Sequence, residues 1–332
     1  TGYRNVAIGT TALFTNITGA ESTAIGTNSL FYATGNGNVA LGYGSGWNVS
    51  TGTYNVLLGY RAAGSASGSG IMSSDYCVAV GYRAGYALTT SLDSTLIGRD
   101  AGVSLTTGNS NTAVGGSTLT ACISGASNVA IGDSALRAYT GSFTVAIGGQ
   151  ALETQISSTM CVAVGHQALR LTTASGGTAL GYQAGNSVTT GQDNTFVGMV
   201  AGSGVNTGAS NTALGYAASG PAASDNWMAL GNNATATAAN QVMLGNSSIT
   251  EVTAAGVFQA NNNDAIPAGG SASIGFKATS TADFGIYFGS GAPTLSAAKG
   301  SLYLRSDGST TNDRAYINTN GSTTWTALTT AA

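Results

Sequence analysis

The chain has 332 residues, of which 42% are hydrophobic and only 7% charged, with a net charge of -3. Soluble domains usually carry about 25% charged residues, so this neutral surface lacks the basic footprint that binds nucleic acid or anionic lipid. Gly occupies 50 positions without a Gly-X-Y period, which excludes collagen, and the low charge excludes a disordered chain.

The apolar runs last four or five residues. That is too short for a spanning helix of about 20 residues or a barrel strand of about 9–11, so no membrane insertion is expected. Thr1-Gly2-Tyr3-Arg4-Asn5 reads as the tail of an earlier coil, because Gly2 precedes Gly9 by the same seven residues as Gly52 precedes Gly59. A processed chain, or one that extends upstream, is the expectation.

From Asn5 to Gly245 one phrase recurs: Asn or a small residue, Val or Thr, Ala, an aliphatic, Gly. Clear copies are Asn5-Val6-Ala7-Ile8-Gly9, Asn38-Val39-Ala40-Leu41-Gly42 and Asn128-Val129-Ala130-Ile131-Gly132. Fifteen such glycines lie 16 or 17 residues apart, apart from one step of 22 and a last step of 14. A short, regular period means a solenoid in which each repeat is one coil stacked on the last. The fold expected is therefore an all-β solenoid of about 15 coils over residues 1–249, roughly 70 Å long at about 4.8 Å per coil.

Columns of the repeat carry the detail. One before the glycine is always Ile, Leu or Val; three before is Val or Thr, except Met228. Strand alternation puts these on one β-branched face, which is expected to line the inside of the coil. The residue between them is expected to point outward, yet it is Ala in most coils and Leu57, Leu96, Phe196 or Met243 in the rest. A strand apolar on both faces is covered on both. Ala7, Ala24, Ala40, Ala79, Ala113, Ala130, Ala146, Ala163, Ala179 and Ala213 are thus the expected interface with further copies of the chain.

Three after the glycine every coil has Ala, Ser or Thr, from Ala12 and Ser29 to Ser248, a tight spot where a second short strand is expected to fold back. The repeat glycine itself reads as a bend needing positive φ or close backbone approach. The far turn reads Thr-Gly-x-x-Asn, as in Thr51–Asn55, Thr107–Asn111 and Thr190–Asn194. There Gly is expected to supply the left-handed residue, and stacked Asn to form amide ladders. The long step carries the loop Ser65-Ala66-Ser67-Gly68-Ser69-Gly70.

Little points to catalysis. The single histidine, His166, shares a variable column with Arg99, Asp133, Tyr182 and Met199. No carboxylate pair, metal-ligand spacing or phosphate loop is present, so neither an enzyme nor a cofactor is expected. Cys77 and Cys161 stand where other coils have Asn and read as small, semi-buried replacements, not a disulfide framework. Tyr43, Tyr60 and Tyr82 follow one another in one column and Gln150, Gln167 and Gln183 in the next. Each trio reads as a ladder, with a glycan-binding strip as the sharper reading of the tyrosines. An ice-binding face needs a stricter Thr array than this, a triangular β-helix needs an aliphatic residue about every six positions, and calcium-binding rolls need a Gly-Gly-x-Gly-x-Asp motif.

Beyond the array the period stops. Residues 250–264, with Asn261-Asn262-Asn263, read as a linker or neck, and residues 265–332 as a small β-module. Ser301–Arg305 and Arg314–Asn318 alternate as strands, and Asn320-Gly321 signals a hairpin before Trp325. Tyr303, Tyr316 and Trp325 are either glycan contacts or the module's own core and a clamp between chains.

The phrase Asn-x-Val-Ala-x-Gly-x-x-Ala/Ser resembles the head repeats of trimeric autotransporter adhesins, and Asn111–Gly115 or Asn194–Gly198 with a Thr-Thr-Gly turn resembles repeats of bacteriophage tail fibres. Gln241–Val252 is similar to the exit from such arrays into a stalk, and Gly300–Gly308 with Trp325–Leu328 to tail-fibre C-termini. The resemblance implies a left-handed parallel β-roll, a homotrimer, and an extracellular role as a virion tail fibre or cell-surface fibre that meets a cell-surface glycan or protein receptor. A self-assembling filament subunit or released adhesin of purely structural role is the alternative. The coil, longer than the adhesins' roughly 14 residues, favours the phage-type fibre.

Overall fold

A computed structural model describes residues 2–65, 72–157, 160–249, 272–278, 284–310 and 312–329. The linker read at 250–264 and most of the loop of the long coil, residues 66–71, lie outside the described residues. The chain divides into two compact units, Thr1–Val252 and Thr253–Ala332.

The first unit is a parallel β-solenoid of about fifteen turns. Fifteen three-residue strands, from Val6–Ile8 to Val242–Leu244, pair in chain order into one parallel sheet. The register is coil on coil: Thr112 pairs with Val129, Ala113 with Ala130 and Val114 with Ile131. Even the 22-residue coil keeps it, Val56 pairing with Val78.

Burial reverses the expected direction of the strands. Ala24, Ala40, Ala79, Ala113, Ala130, Ala146, Ala163, Ala179 and Ala213 are all 0% exposed and belong to the core of the single chain. They line the inside of the coil and are closed to a partner; Ala7, in the first coil with a neighbour on one side only, is exposed. The Val/Thr and Ile/Leu/Val columns face outward instead, with Leu41 51% and Leu180 50% exposed. The reason is space, since the sheet backs directly onto the return side of its own coil.

Exceptions prove the tightness. Leu57, Leu96 and Phe196 take the Ala position and are fully buried. Beside each, the facing positions are glycine: a Cβ on Gly46 would stand 2.8 Å from Leu57, one on Gly85 2.9 Å from Leu96, and one on Gly185 2.7 Å from Phe196. Gly102 and Gly202 flank Leu96 and Phe196 from their own coils in the same way. In other coils the position of these glycines holds a buried leucine, as at Leu30, Leu119, Leu136, Leu152 and Leu169. Large and small residues thus exchange sides at constant volume, as dense packing requires.

The return side is not a second strand. Its backbone turns left-handed at alternate residues, at Ser117 and Leu119 (φ 53 and 51), Ser134 and Leu136 (φ 58 and 50), and Gln167 and Leu169 (φ 57 and 47). The expected weak strand is therefore a run of turns. It is stitched to its neighbours by bonds such as Leu30 N–H to Ser45 carbonyl (2.9 Å) and Ser134 N–H to Gly116 carbonyl (2.9 Å). Each repeat glycine lies at φ between 120 and 140 up to Gly231, and a Cβ on Gly132 would stand 2.6 Å from the Gly148 carbonyl carbon. Both expected reasons for glycine hold at once.

The far-turn glycine has only one of them. Gly52, Gly108 and Gly191 have no left-handed φ; the left-handed residues are Tyr54, Ser110 and Asp193, just before the Asn. Glycine is required because a Cβ there would collide with the carbonyl oxygens of Ser74, Gly125 and Gly208 in the next coil. The Asn column braces the coil from inside. Asn111 accepts from the Asn128 N–H (3.1 Å) and donates to the Gly125 carbonyl (2.8 Å), as Asn194 does with Asn211 (2.9 Å) and Gly208 (2.8 Å). A direct amide-to-amide rung joins Asn55 to Asn38 (3.0 Å); the other braces run from side chain to backbone.

The second unit is a five-stranded sheet of β16 (Ala272–Ala278), β17 (Phe284–Gly289), β18 (Leu302–Arg305), β19 (Ala315–Asn318) and β20 (Trp325–Leu328), in that order. Only the β17–β18 pair is parallel. The hairpin signal at Asn320-Gly321 is realised between β19 and β20.

The exchange of volume inside the coil makes a prediction. Phe196→Ala empties a packed site and should cost about 3–5 kcal/mol. Adding Gly202→Leu should recover part of that loss, because leucine sits at the same φ elsewhere in the column. Chemical denaturation of the three proteins measures both; a double variant no more stable than Phe196→Ala would refute the compensation.

Candidate functional site

The outward face of the parallel sheet is the most distinctive surface of the first unit. Successive residues around each strand alternate in burial. The Asn and Ala columns, four and two residues before the glycine, point in, as Asn111 and Ala113 do at 0% exposure. The columns five, three and one before it, and the one just after, point out. Coil 4 presents Tyr54, Val56, Leu58 and Tyr60, and coil 5 presents Tyr76, Val78, Val80 and Tyr82. Of the two central columns one is Ile, Leu or Val at every level and the other Val at eight levels, Thr at six and Met at one, so a largely aliphatic stripe runs the length of the array.

The border columns vary from coil to coil. On the far border Tyr54 stacks on Tyr76 at 5.6 Å with rings 6° apart. On the near border Tyr43, Tyr60 and Tyr82 stack at 5.4 Å, within 13° of parallel, and His166 lies on Tyr182 at 5.6 Å. The tyrosine ladder expected from the sequence is present, and its geometry bears on the glycan reading. Rings stacked on each other cover their own faces, so the strip offers edges and hydroxyls where a sugar needs a face. Tyr54 and Tyr76 escaped sequence reasoning; the signal was strand parity, which carries the outward face two residues beyond Val56 and Val78.

Other columns are internal to the chain. Gln183 donates to Gln167 (2.7 Å) and Gln167 to Gln150 (2.8 Å), the expected amide ladder. Phe14 stacks on Phe31 at 5.1 Å, and Trp47 follows at 6.3 Å on the return side. Farther along that column Glu153 bridges Arg137 (3.1 Å) and Arg170 (3.7 Å). Cys77, Cys122 and Cys161 are buried and not joined in disulfides. Cys77 takes the Asn position, its N–H bonded to Asn55 (2.9 Å), and burial pushes its thiol and that of Cys122 above the ordinary range. Among the described residues no group of three or more His, Cys, Asp and Glu could hold a metal ion, and no helix is long and apolar enough to cross a membrane.

In the second unit the aromatics turn inward. Tyr303 is 0% exposed and packs edge-on against Trp325 (5.8 Å) and Tyr316 (6.4 Å). The Trp325 indole N–H donates to the Leu295 carbonyl at 2.9 Å. Tyr303 therefore cannot meet a sugar. With Tyr287 and Ala297 it is the core of the module, and Tyr316 and Trp325 pack against it. Burial raises the Tyr303 phenol above its usual range.

Comparison of the chain with known protein families and with curated proteins finds no match.

Beside the module's core, the Arg305 guanidinium grips Asp307 in a two-pronged pair (2.9 and 3.0 Å), and the Gly291 N–H adds a bond of 2.9 Å. Together they lower the Asp307 carboxyl to about 2. A depressed carboxyl contributes stability above its ordinary range near 4 and loses it as pH falls through its folded value. Titration of the Asp307 carboxyl by NMR should give a midpoint near 2. A midpoint near 4 would mean that the pair does not persist in solution.

Proposed function

We propose that this chain is a structural and adhesive fibre protein, akin to a phage tail fibre, in which three copies of a left-handed roll pack side by side through the outward sheet face. The carrying observation is the aliphatic stripe: Val39, Leu41, Ile97, Ile131, Val162, Leu180 and Leu214 all stand exposed along one sheet. With its border columns the face measures about 70 by 20 Å, on the order of 1,400 Å². A standard interface takes about 800 Å² from each partner, which this face exceeds, and contiguous apolar patches on a surface mark sites of association. Three copies around an axis place each stripe against two neighbours and give the stiffness that a fibre needs. The sequence resemblance to tail fibres and adhesins supports an extracellular setting, and the neutral composition suits a self-assembling rod without enzymatic work. The second unit and the variable loops carry contact with a glycan or protein receptor, in the usual division between rigid scaffold and variable loops.

Light scattering tests the assembly. The unaltered protein should give three copies. Ile131→Glu should keep the coil, read by circular dichroism, but lose the assembly, since it places an unpaired charge in an apolar contact. A soluble unaltered monomer, or an assembly indifferent to Ile131→Glu, would overturn the reading. Binding of the trimer to candidate host cells tests the adhesive half; trimers that bind none support the purely structural filament.

A further inference from the structure

The aliphatic stripe explains adhesion between copies but not alignment. One of its columns is Ile, Leu or Val at every level and the other is Val or Thr apart from Met228, residues of similar shape, so sliding one copy by a coil, about 4.8 Å, changes the fit of the stripe little. A uniform apolar strip specifies register weakly. Alignment has to come from the borders, where each coil differs from the next.

At five of the fifteen coils the two borders of one coil match each other. At the fourth and fifth coils both are tyrosine: Tyr54 and Tyr60, then Tyr76 and Tyr82. At the sixth they are opposite charges, Asp93 on the far border and Arg99 on the near one, both exposed. At the last two they are Asn226 with Asn232 and Asn240 with Asn246. Within one chain these partners stand six residues apart across the strand, roughly 20 Å, so the correspondence serves no contact inside the coil. When parallel copies pack face to face about a shared axis, the far border of one meets the near border of the next at the same level. The correspondence then becomes a set of contacts.

We infer that the border columns are a register key, in which Asp93 of one copy pairs with Arg99 of the next and Tyr54 and Tyr76 pack on the neighbour's Tyr60 and Tyr82. The inference rests on self-association through this face and adds which level meets which. A slip by one coil sets Asp93 against Tyr82 or Gly116 and Arg99 against Tyr76 or Ser110, so the aligned state alone brings Asp93 to a guanidinium. Arg99 also holds Asp100 of its own chain at 3.0 Å, and Asp100 approaches Arg83 at 3.8 Å. These bonds keep the guanidinium on the border in a fixed place, while Asp93 makes no ion pair among the described residues.

Charge exchange tests the key. Asp93→Arg and Arg99→Asp each set like charges against each other and should weaken association about ten-fold, whereas the double exchange should return it to within about two-fold of the unaltered protein. High salt should shrink the single-variant effects by screening. Mixing the two single variants should restore part of the assembly, because two of the three interfaces of a mixed trimer then pair opposite charges while the third still sets like charges together. That arm needs no double variant to fold, and circular dichroism confirms that each single variant keeps its coil. An unaltered protein that assembles while neither the double exchange nor the mixture recovers would overturn the key and leave self-association standing. An unaltered protein that stays monomeric would overturn both.

Discussion

The room inside one coil governs the rest of the structure. The sheet and the return side of each coil face each other across a gap that admits a methyl group on the sheet side when a leucine fills the other. Where Phe196 or Leu96 claims more, the opposite residues shrink to glycine. Stacking imposes the second half of the constraint, because a Cβ on a repeat glycine would press into the carbonyl of the next. A coil this thin cannot hold two β-branched residues per strand. They are expelled to the outside, and an apolar outer face follows from the packing of the inner one.

That expulsion links fold to function. Most solenoids hide their aliphatic residues and show polar ones. Here the sheet side of the interior is filled mostly by Ala and Asn, with leucines confined largely to the return side, and the hydrogen bonds of Asn111, Asn128 and Asn194 hold the interior together. Buried amides cost little when both ends are satisfied, and each is expensive to orphan. The apolar surface spared inside is offered outside, where only another chain can remove it from water. Stability of the single coil and cohesion of an assembly thus draw on different residues of the same strand.

Much of this was legible in the sequence. The period gave the number of coils, the recurring glycine its strained bend, and the Gln150 to Gln183 and Tyr43 to Tyr82 columns their ladders. The hairpin at Asn320-Gly321 was equally plain. The direction of the strands was not, because alternation fixes which residues share a face but not which face is inside. Bulky β-branched residues suggest a core, and that inference fails when the core is too thin to hold them. The sign was present in Gly85, Gly102, Gly185 and Gly202, which appear where the Ala column enlarges, but it is readable only once the return side is known to face the strand. The far-turn glycine misled in the same way. Its left-handed neighbour Tyr54 is a residue type that does not advertise such a φ, whereas Asp193 is one that tolerates it. The demand for glycine arises from the coil above, which no local rule contains.

Variation along the array therefore carries different meaning inside and outside. Inside, the large departures from the Ala column are answered within the same chain: Phe196 by Gly185 and Gly202, Leu96 by Gly85 and Gly102, Leu57 by Gly46. Such changes are silent to a neighbour, since the outer columns at those levels remain Thr or Val and an aliphatic. On the borders the departures are not answered at their own level. Tyr54 and Asp93 stack or stand beside residues of adjacent coils, yet what matches them across the strand is Tyr60 and Arg99, out of reach in the same chain. A periodic surface gains a definite alignment only from features that break its period. In this array those features lie along the two edges of the one face whose apolar area calls for a partner.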